Sequence, residues 1–203
     1  PFLKPEIYWS GLLTGKQATV FYNKFPFVRS HLNIVPECER EKPQFLMPED
    51  HQYAWAVANE LAGLIGFGMG YNSLGAFASV NHLHFQMYLE QDPLPVTRAN
   101  WRHNGGSEDY PTTCFVFTSY DESWEWLSDI HNQNIAYNLL YVPGKGYCFP
   151  RKFQETYEQP PWTSGFAWYE VSGGFITFCH EEYDAFSADT IPQAFHDLAV
   201  PAS

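Results

Sequence analysis

Residues 81–86 read NHLHFQ, and in an extended strand His82, His84 and Gln86 share one face at steps of roughly 6–7 Å. Leu83, Phe85, Met87 and Leu89 fall on the other face and can anchor the row on an apolar core. Histidine offers a nucleophilic nitrogen near neutral pH, a metal ligand or a proton shuttle. Glutamine adds an amide donor without a titratable proton. Three hydrogen-bonding side chains in line need partners, and a polar ligand would supply them. A bare H-x-H also fits a solvated polar face, because short motifs recur by chance. Two further arrangements narrow the choice. Residues 71–79 (YNSLGAFAS) are rich in small residues, which lets a phosphate approach the backbone, and Asn72, Ser73 and Ser79 add polar donors. In the strand expected over 31–36, His31 and Asn33 share a face and can join the same pocket. His82, His84 and Glu90 also match a metal-holding cupin pattern loosely, since all three sit at even offsets. A sugar-binding β domain using Trp101, Trp124, Trp126, Trp162 and Trp168 is a third reading, and a helix expected over 48–65 fits it poorly.

The run YNSLGAFASVNHLHFQ over 71–86 resembles the signature of the GDP-hexose phosphorylases of the histidine-triad (HIT) superfamily. NKFPFVRSHLNIVPE over 23–37 is similar to that superfamily's first motif stretch, and weaker likeness continues over 134–140 and 149–151. The resemblance implies an α+β, HIT-like fold with a mostly antiparallel sheet, packed helices and a two-lobed plan. Residues 1–98 would form the catalytic half and 99–203 a diverged second half. It implies a nucleotidyltransferase that cleaves a nucleoside diphosphate sugar, with a purine base favoured, using inorganic phosphate. His84 would be the nucleophile, His82 would shape the phosphate pocket, and Gln86 would replace the third histidine of the hydrolytic branch. His31, Asn33, Asn72, Ser73, Ser79, Arg98 and Arg151 are the expected substrate contacts. No cofactor and no metal is implied, and the C-x-x-C zinc pattern of the related uridylyltransferases does not occur. A dinucleoside tetraphosphate phosphorylase shares the nucleophile and is the nearest competitor. The resemblance leaves a homodimer open. The chain starts at Pro1 and is shorter than members of this family generally are, so an upstream element is expected.

The whole composition agrees with a folded enzyme. Of 203 residues, 45% are hydrophobic and 18% aromatic, ample for a core. A net charge of −12 argues against nucleic-acid or anionic-membrane partners. No apolar run is long enough to span a bilayer, and no signal-peptide pattern is visible. Cys38, Cys114, Cys148 and Cys179 are too widely spaced for a compact disulfide framework, which points to free thiols and a cytoplasmic setting.

The elements that must position the motif follow from hydrophobic periodicity. Strands are expected over 17–23, 31–36, 79–90, 114–118, 136–142 and 165–171. Gly173-Gly174 would join the last to 175–179 as a hairpin. Helices are expected over 48–65, with Tyr53, Val57, Leu61 and Ile65 inward, over 121–132 with Asp121 as cap, and over 191–198. Gly66, Gly68 and Gly70 read as a turn-rich approach, and His51 as exposed.

Overall fold

Eight strands form a single sheet in the computed structural model, which describes residues 2–200. They are β1 (Ile7–Leu13), β2 (Lys16–Tyr22), β3 (Leu32–Pro36), β4 (Phe67–Asn72), β5 (Phe85–Leu89), β6 (Phe115–Phe117), β7 (Ala136–Val142) and β8 (Lys145–Arg151). The spatial order is β1-β2-β3-β5-β4-β7-β8-β6, and every pairing is antiparallel. The β4–β7 pairing, Met69 to Tyr141 through Asn72 to Asn138, carries the sheet across from residues 1–98 into residues 99–203.

Both faces of the central strands are covered. On one face α1 (Pro48–Glu60) and α2 (Tyr120–Asn132) pack Trp55, Val57, Leu127 and Ile130 onto Met69, Phe85, Leu139 and Tyr141. On the other, residues 157–198 bring Trp162, Phe166, Trp168 and Phe195 against Tyr88, Leu140, Tyr147 and Phe149. That segment contains three short helices, α3 (Trp168–Val171), α4 (His180–Ala185) and α5 (Thr190–Leu198). Double coverage removes the polar–apolar alternation that marks a half-exposed strand. It explains why β4 and β8, buried along nearly their whole length, are not visible as strands in the sequence.

Helix α1 begins as expected, with Pro48 in its first turn followed by Glu49 and Asp50. It ends at Glu60 in a 3-10 turn rather than continuing to 65, and Ile65 is 88% exposed. His51 is buried, not exposed. Its Nδ1 lies 2.7 Å from the Tyr141 hydroxyl and its Nε2 2.8 Å from Ser123 Oγ, and burial lowers its pKa to about 3. Helix α2 is capped by Ser119, whose Oγ accepts from the Glu122 N–H, rather than by Asp121.

Two other expectations change. Residues 165–171 are not a strand, and Gly173-Gly174 is not a hairpin turn. The Gly173 N–H donates to the Glu170 carbonyl and the Gly174 N–H to the Tyr169 carbonyl, with Gly173 at φ 92°. This is the Schellman arrangement that closes a helix, here α3, with glycine in the left-handed position. The expected strand over 79–90 shortens to β5. Residues 79–84 have no neighbouring strand. Their backbone is satisfied from the loop before α1 instead: Leu83 N–H donates to the Lys42 carbonyl and His84 N–H to Gln44 Oε1.

Candidate active site

His84 sits at the mouth of β5, 4% exposed. Gln44 holds its backbone from both sides, accepting from His84 N–H at 3.0 Å and donating to the His84 carbonyl at 3.4 Å and the Asn72 carbonyl at 2.9 Å. The imidazole Nδ1 lies 2.8 Å from the His82 carbonyl. A carbonyl only accepts, so Nδ1 carries the proton and Nε2 keeps its lone pair. Burial lowers the His84 pKa, and the hydrogen bond to the His82 carbonyl opposes this only in part. The side chain at neutral pH is therefore an uncharged imidazole with its nucleophilic nitrogen free.

Gln86 lies on β5 itself, opposite Asn33 on β3 and Gly70 on β4. Its Oε1 accepts from the Trp168 indole N–H at 2.9 Å and lies 3.1 Å from His31 Nε2. His31 Nε2 also lies 3.0 Å from the Asn23 amide nitrogen, and burial lowers the His31 pKa to about 4. Gln44 was not legible as a site residue from the sequence, and Trp168 only as one of five tryptophans in the sugar-binding reading, because each meets the site through a contact with a distant segment.

Two adjoining cavities meet at this point. The smaller, about 250 Å³, is lined by His84, Gln86, Asn33, Ser79, Tyr22 and Phe2, among others. The larger, about 600 Å³, includes Asn72, Phe77, Gly165 and Glu170. Asn23, Lys24, Phe25, Ser79 and Gln86 line both. Together they form a trough in the size range of nucleotide-sized ligands. Lys24 is the one lysine or arginine lining it among the described residues, and its Nζ pairs with Glu6 at 2.9 Å. Glu170, unmarked in the sequence, is buried at the larger cavity. It accepts from the Ala167 N–H at 3.0 Å, and burial raises its pKa to about 7. Phe77 holds a φ of 67°, costly for a residue with a Cβ, fixed by its N–H donating to Gln154 Oε1.

The remaining sequence-predicted residues divide. Asn33 and Ser79 line the smaller cavity, and Asn72 lines the larger. His31 is buried and reaches the trough through Gln86. His82 is buried behind the ring of Phe2, which lies 5.1 Å from it and 5.7 Å from His84, and its Nε2 has no partner. Ser73 Oγ accepts from the Tyr137 N–H and lines neither cavity. Arg98 is exposed, and Arg151 is fully buried, bonded to Asn138, Phe166 and Tyr157, with its pKa lowered by burial to about 10. The structure brings neither arginine to the trough. Glu90 does not come together with His82 and His84 as a metal-holding group, and its carboxylate accepts from the Arg29 N–H. Among the described residues no three His, Cys, Asp or Glu side chains come together as a metal site, and no helix is long and apolar enough to cross a membrane.

A neutral imidazole with a free Nε2, its far nitrogen bonded to a carbonyl, can attack an electrophilic phosphorus and bear the positive charge that results. An adjacent carboxamide can donate to a non-bridging oxygen. Residues 8–88 match the family model described as GDPGP1-like, N-terminal domain. GDP-L-galactose phosphorylase 1 of Arabidopsis thaliana is 31% identical over 139 residues, covering 61% of this chain and 31% of that protein. GDP-D-glucose phosphorylase 1 of Homo sapiens is 40% identical over 89 residues, covering 44% of this chain and 23% of that protein. The matched stretch thus spans about a third or less of these relatives' own length. Among solved structures, yeast Ap4A phosphorylase Apa2 in complex with Ap4A superposes with a TM-score of 0.68 at 19% identity, over 92% of this chain and 75% of that one. That likeness establishes the HIT-like, mostly antiparallel fold.

Proposed function

We propose that this chain, which belongs to the GDP-hexose phosphorylase branch of the histidine-triad superfamily, transfers a nucleotide from a GDP-hexose to inorganic phosphate. His84 Nε2 attacks the α-phosphorus, a P–N bond forms, and the P–O bond to hexose 1-phosphate breaks. Hexose 1-phosphate departs with the bonding pair and needs no proton, being a weakly basic leaving group. The guanylyl-imidazolium that remains is positively charged, and the Nδ1–H bond to the His82 carbonyl strengthens as that charge develops. Phosphate oxygen then attacks the same phosphorus, GDP leaves, and His84 regains its lone pair. His82 acts through its backbone carbonyl and by shaping the pocket.

The observation that carries this reading is the pairing of a His84 imidazole, held in one tautomer, with the Gln86 carboxamide on one cavity wall. Gln86 can donate to the transferred phosphoryl group but cannot deprotonate water, so transfer to phosphate is favoured over hydrolysis. Tyr22, Asn23, Phe25 and Asn33 are the residues we assign to the base, and Lys24, released from Glu6, to the phosphates. In this reading residues 1–98 supply the nucleophile and residues 99–203 the groups that hold it in place. Four free cysteines are consistent with a reducing, cytoplasmic setting.

Incubating the protein with phosphate and a panel of GDP-, UDP- and ADP-sugars and diadenosine tetraphosphate tests the assignment. GDP release from a GDP-hexose, at rates well above diphosphate release from the others, is expected. Preferential cleavage of the tetraphosphate would move the chain to the dinucleoside branch. Equal use of UDP-glucose and GDP-glucose would move it towards the uridylyltransferases.

A further inference from the structure

We propose that Trp168, from the second half of the chain, is a positioning residue that sets which end of the Gln86 carboxamide faces the substrate. This rests on the nucleotidyl-transfer reading above. The indole N–H can only donate, so the Gln86 atom 2.9 Å from it is the amide oxygen. With Oε1 turned to Trp168, the amino group turns the other way. Gln86 Nε2 has no protein partner among the described residues, and the side chain lines both cavities. Its two N–H donors are thus left for a phosphate oxygen. Exchange of the oxygen and nitrogen positions would set two donors against each other at Trp168 and present an oxygen to an anionic substrate.

Trp168 is built to hold that position. It is fully buried, and its ring stacks on Tyr88 with centroids 5.3 Å apart and planes 15° from parallel. Its backbone N–H donates to Asn72 Oδ1 at 2.8 Å. The indole lies directly on β4 at Gly70, where a Cβ would come within 2.0 Å of the ring. Gly70, Asn72 and Gln86 are thus three points of the first half that all meet one residue of the second, Gly70 and Gln86 through its indole and Asn72 through its backbone N–H. Packing alone would require a large ring at 168. The placement of an indole N–H on the carboxamide oxygen adds direction to that ring.

Trp168→Phe keeps a ring and removes the indole donor, leaving His31 Nε2 as the remaining neighbour of Gln86 Oε1, so the amide is held less firmly in its orientation. The expected result is a fall in kcat of at least tenfold, with KM for GDP-hexose within about twofold and a larger share of hydrolysis over phosphorolysis. The decisive comparison is the same substitution in a Gln86→Glu background, followed by single-turnover labelling. A carboxylate presents oxygen on both sides whichever way it turns, so removing the indole donor there should change the rate less than twofold. An equal tenfold loss in both backgrounds would show Trp168 to be a packing residue and overturn the proposal. An orientation arm needs no turnover. In nitrogen-15 spectra the Trp168 indole N–H should be protected from exchange in the wild type and lose that protection in Gln86→Ala. Unchanged protection would refute the clamp even if the protein is active. A wild type with a protected indole but no turnover of any nucleotide would reject the catalytic reading while leaving the clamp in place.

Discussion

At the scale of single residues, chemistry depends on proton positions. The His84 lone pair is available because the His82 carbonyl fixes the proton on Nδ1, and because burial keeps the ring uncharged. Protonation of Nε2 would abolish attack, and the lowered pKa moves that event to more acidic pH. The single-turnover rate of His84 labelling should therefore reach half its neutral value only below pH 6.5, the ordinary histidine value. A rate already halved near pH 6.5 would mean an ordinary, solvated imidazole. Gln86→His should leave labelling intact and raise hydrolysis relative to phosphorolysis, measured as GMP against GDP, because an imidazole restores an acid–base group beside the intermediate. The residue types were legible in the sequence, since NHLHFQ and the run before it name them. The failure of Arg98 and Arg151 to reach the trough was not legible. Whether an arginine faces a ligand or a buried carbonyl depends on segments far away in the chain, here Phe166 and Tyr157.

At the scale of elements, the site depends on how β5 enters the sheet and on what lies across it. Alternation placed Leu83, Phe85 and Met87 on the apolar face correctly, and all three are buried. It overextended the strand, because periodicity does not report whether a neighbouring strand exists to pair with residues 79–84. Gly66, Gly68 and Gly70 read as a turn, yet Gly68 and Gly70 lie within β4, where large rings press on the backbone. Tyr88 leaves no room for a Cβ at Gly68, and Trp168 leaves none at Gly70. Gly70→Ala should therefore displace the Trp168 ring, destabilise the fold by about 1–3 kcal/mol as overpacking does, and loosen Gln86. Urea unfolding monitored by tryptophan fluorescence checks this, and an unchanged midpoint would contradict it. The Gly173-Gly174 pair misled for a related reason. Two glycines suit either a hairpin or a helix end, and only the carbonyls of Tyr169 and Glu170 decide between them.

At the scale of the whole molecule, one sheet ties the two halves together, and the same join builds the site. The first half supplies His84, Gln86 and most of the trough, while Trp168 and Glu170 come from the second. The α+β class and the mostly antiparallel sheet followed from the sequence, but the continuity through β4 and β7 did not, since β4 carried no alternation. Behind the sheet, His51 is buried between Tyr141 on β7 and Ser123 on α2. Its pKa is lowered to about 3 in the fold against about 6.5 when unfolded, so the unfolded chain binds the extra proton between those values. Stability should fall as pH drops through that window, by up to about 1.4 kcal/mol per pH unit. His51→Phe should flatten that slope, which denaturant titrations at pH 7, 6 and 5 would show; an unchanged slope would locate the acid sensitivity elsewhere.

The most direct test of the catalytic account is the intact mass of the protein after incubation with a GDP-hexose in the absence of phosphate. The wild type should gain one GMP unit through an acid-labile, alkali-stable bond, and added phosphate should discharge it as GDP. His84→Ala should gain nothing. Labelling that survives in His84→Ala, or a wild type that turns over GDP-hexose without ever carrying the nucleotide, would contradict a covalent mechanism centred on His84.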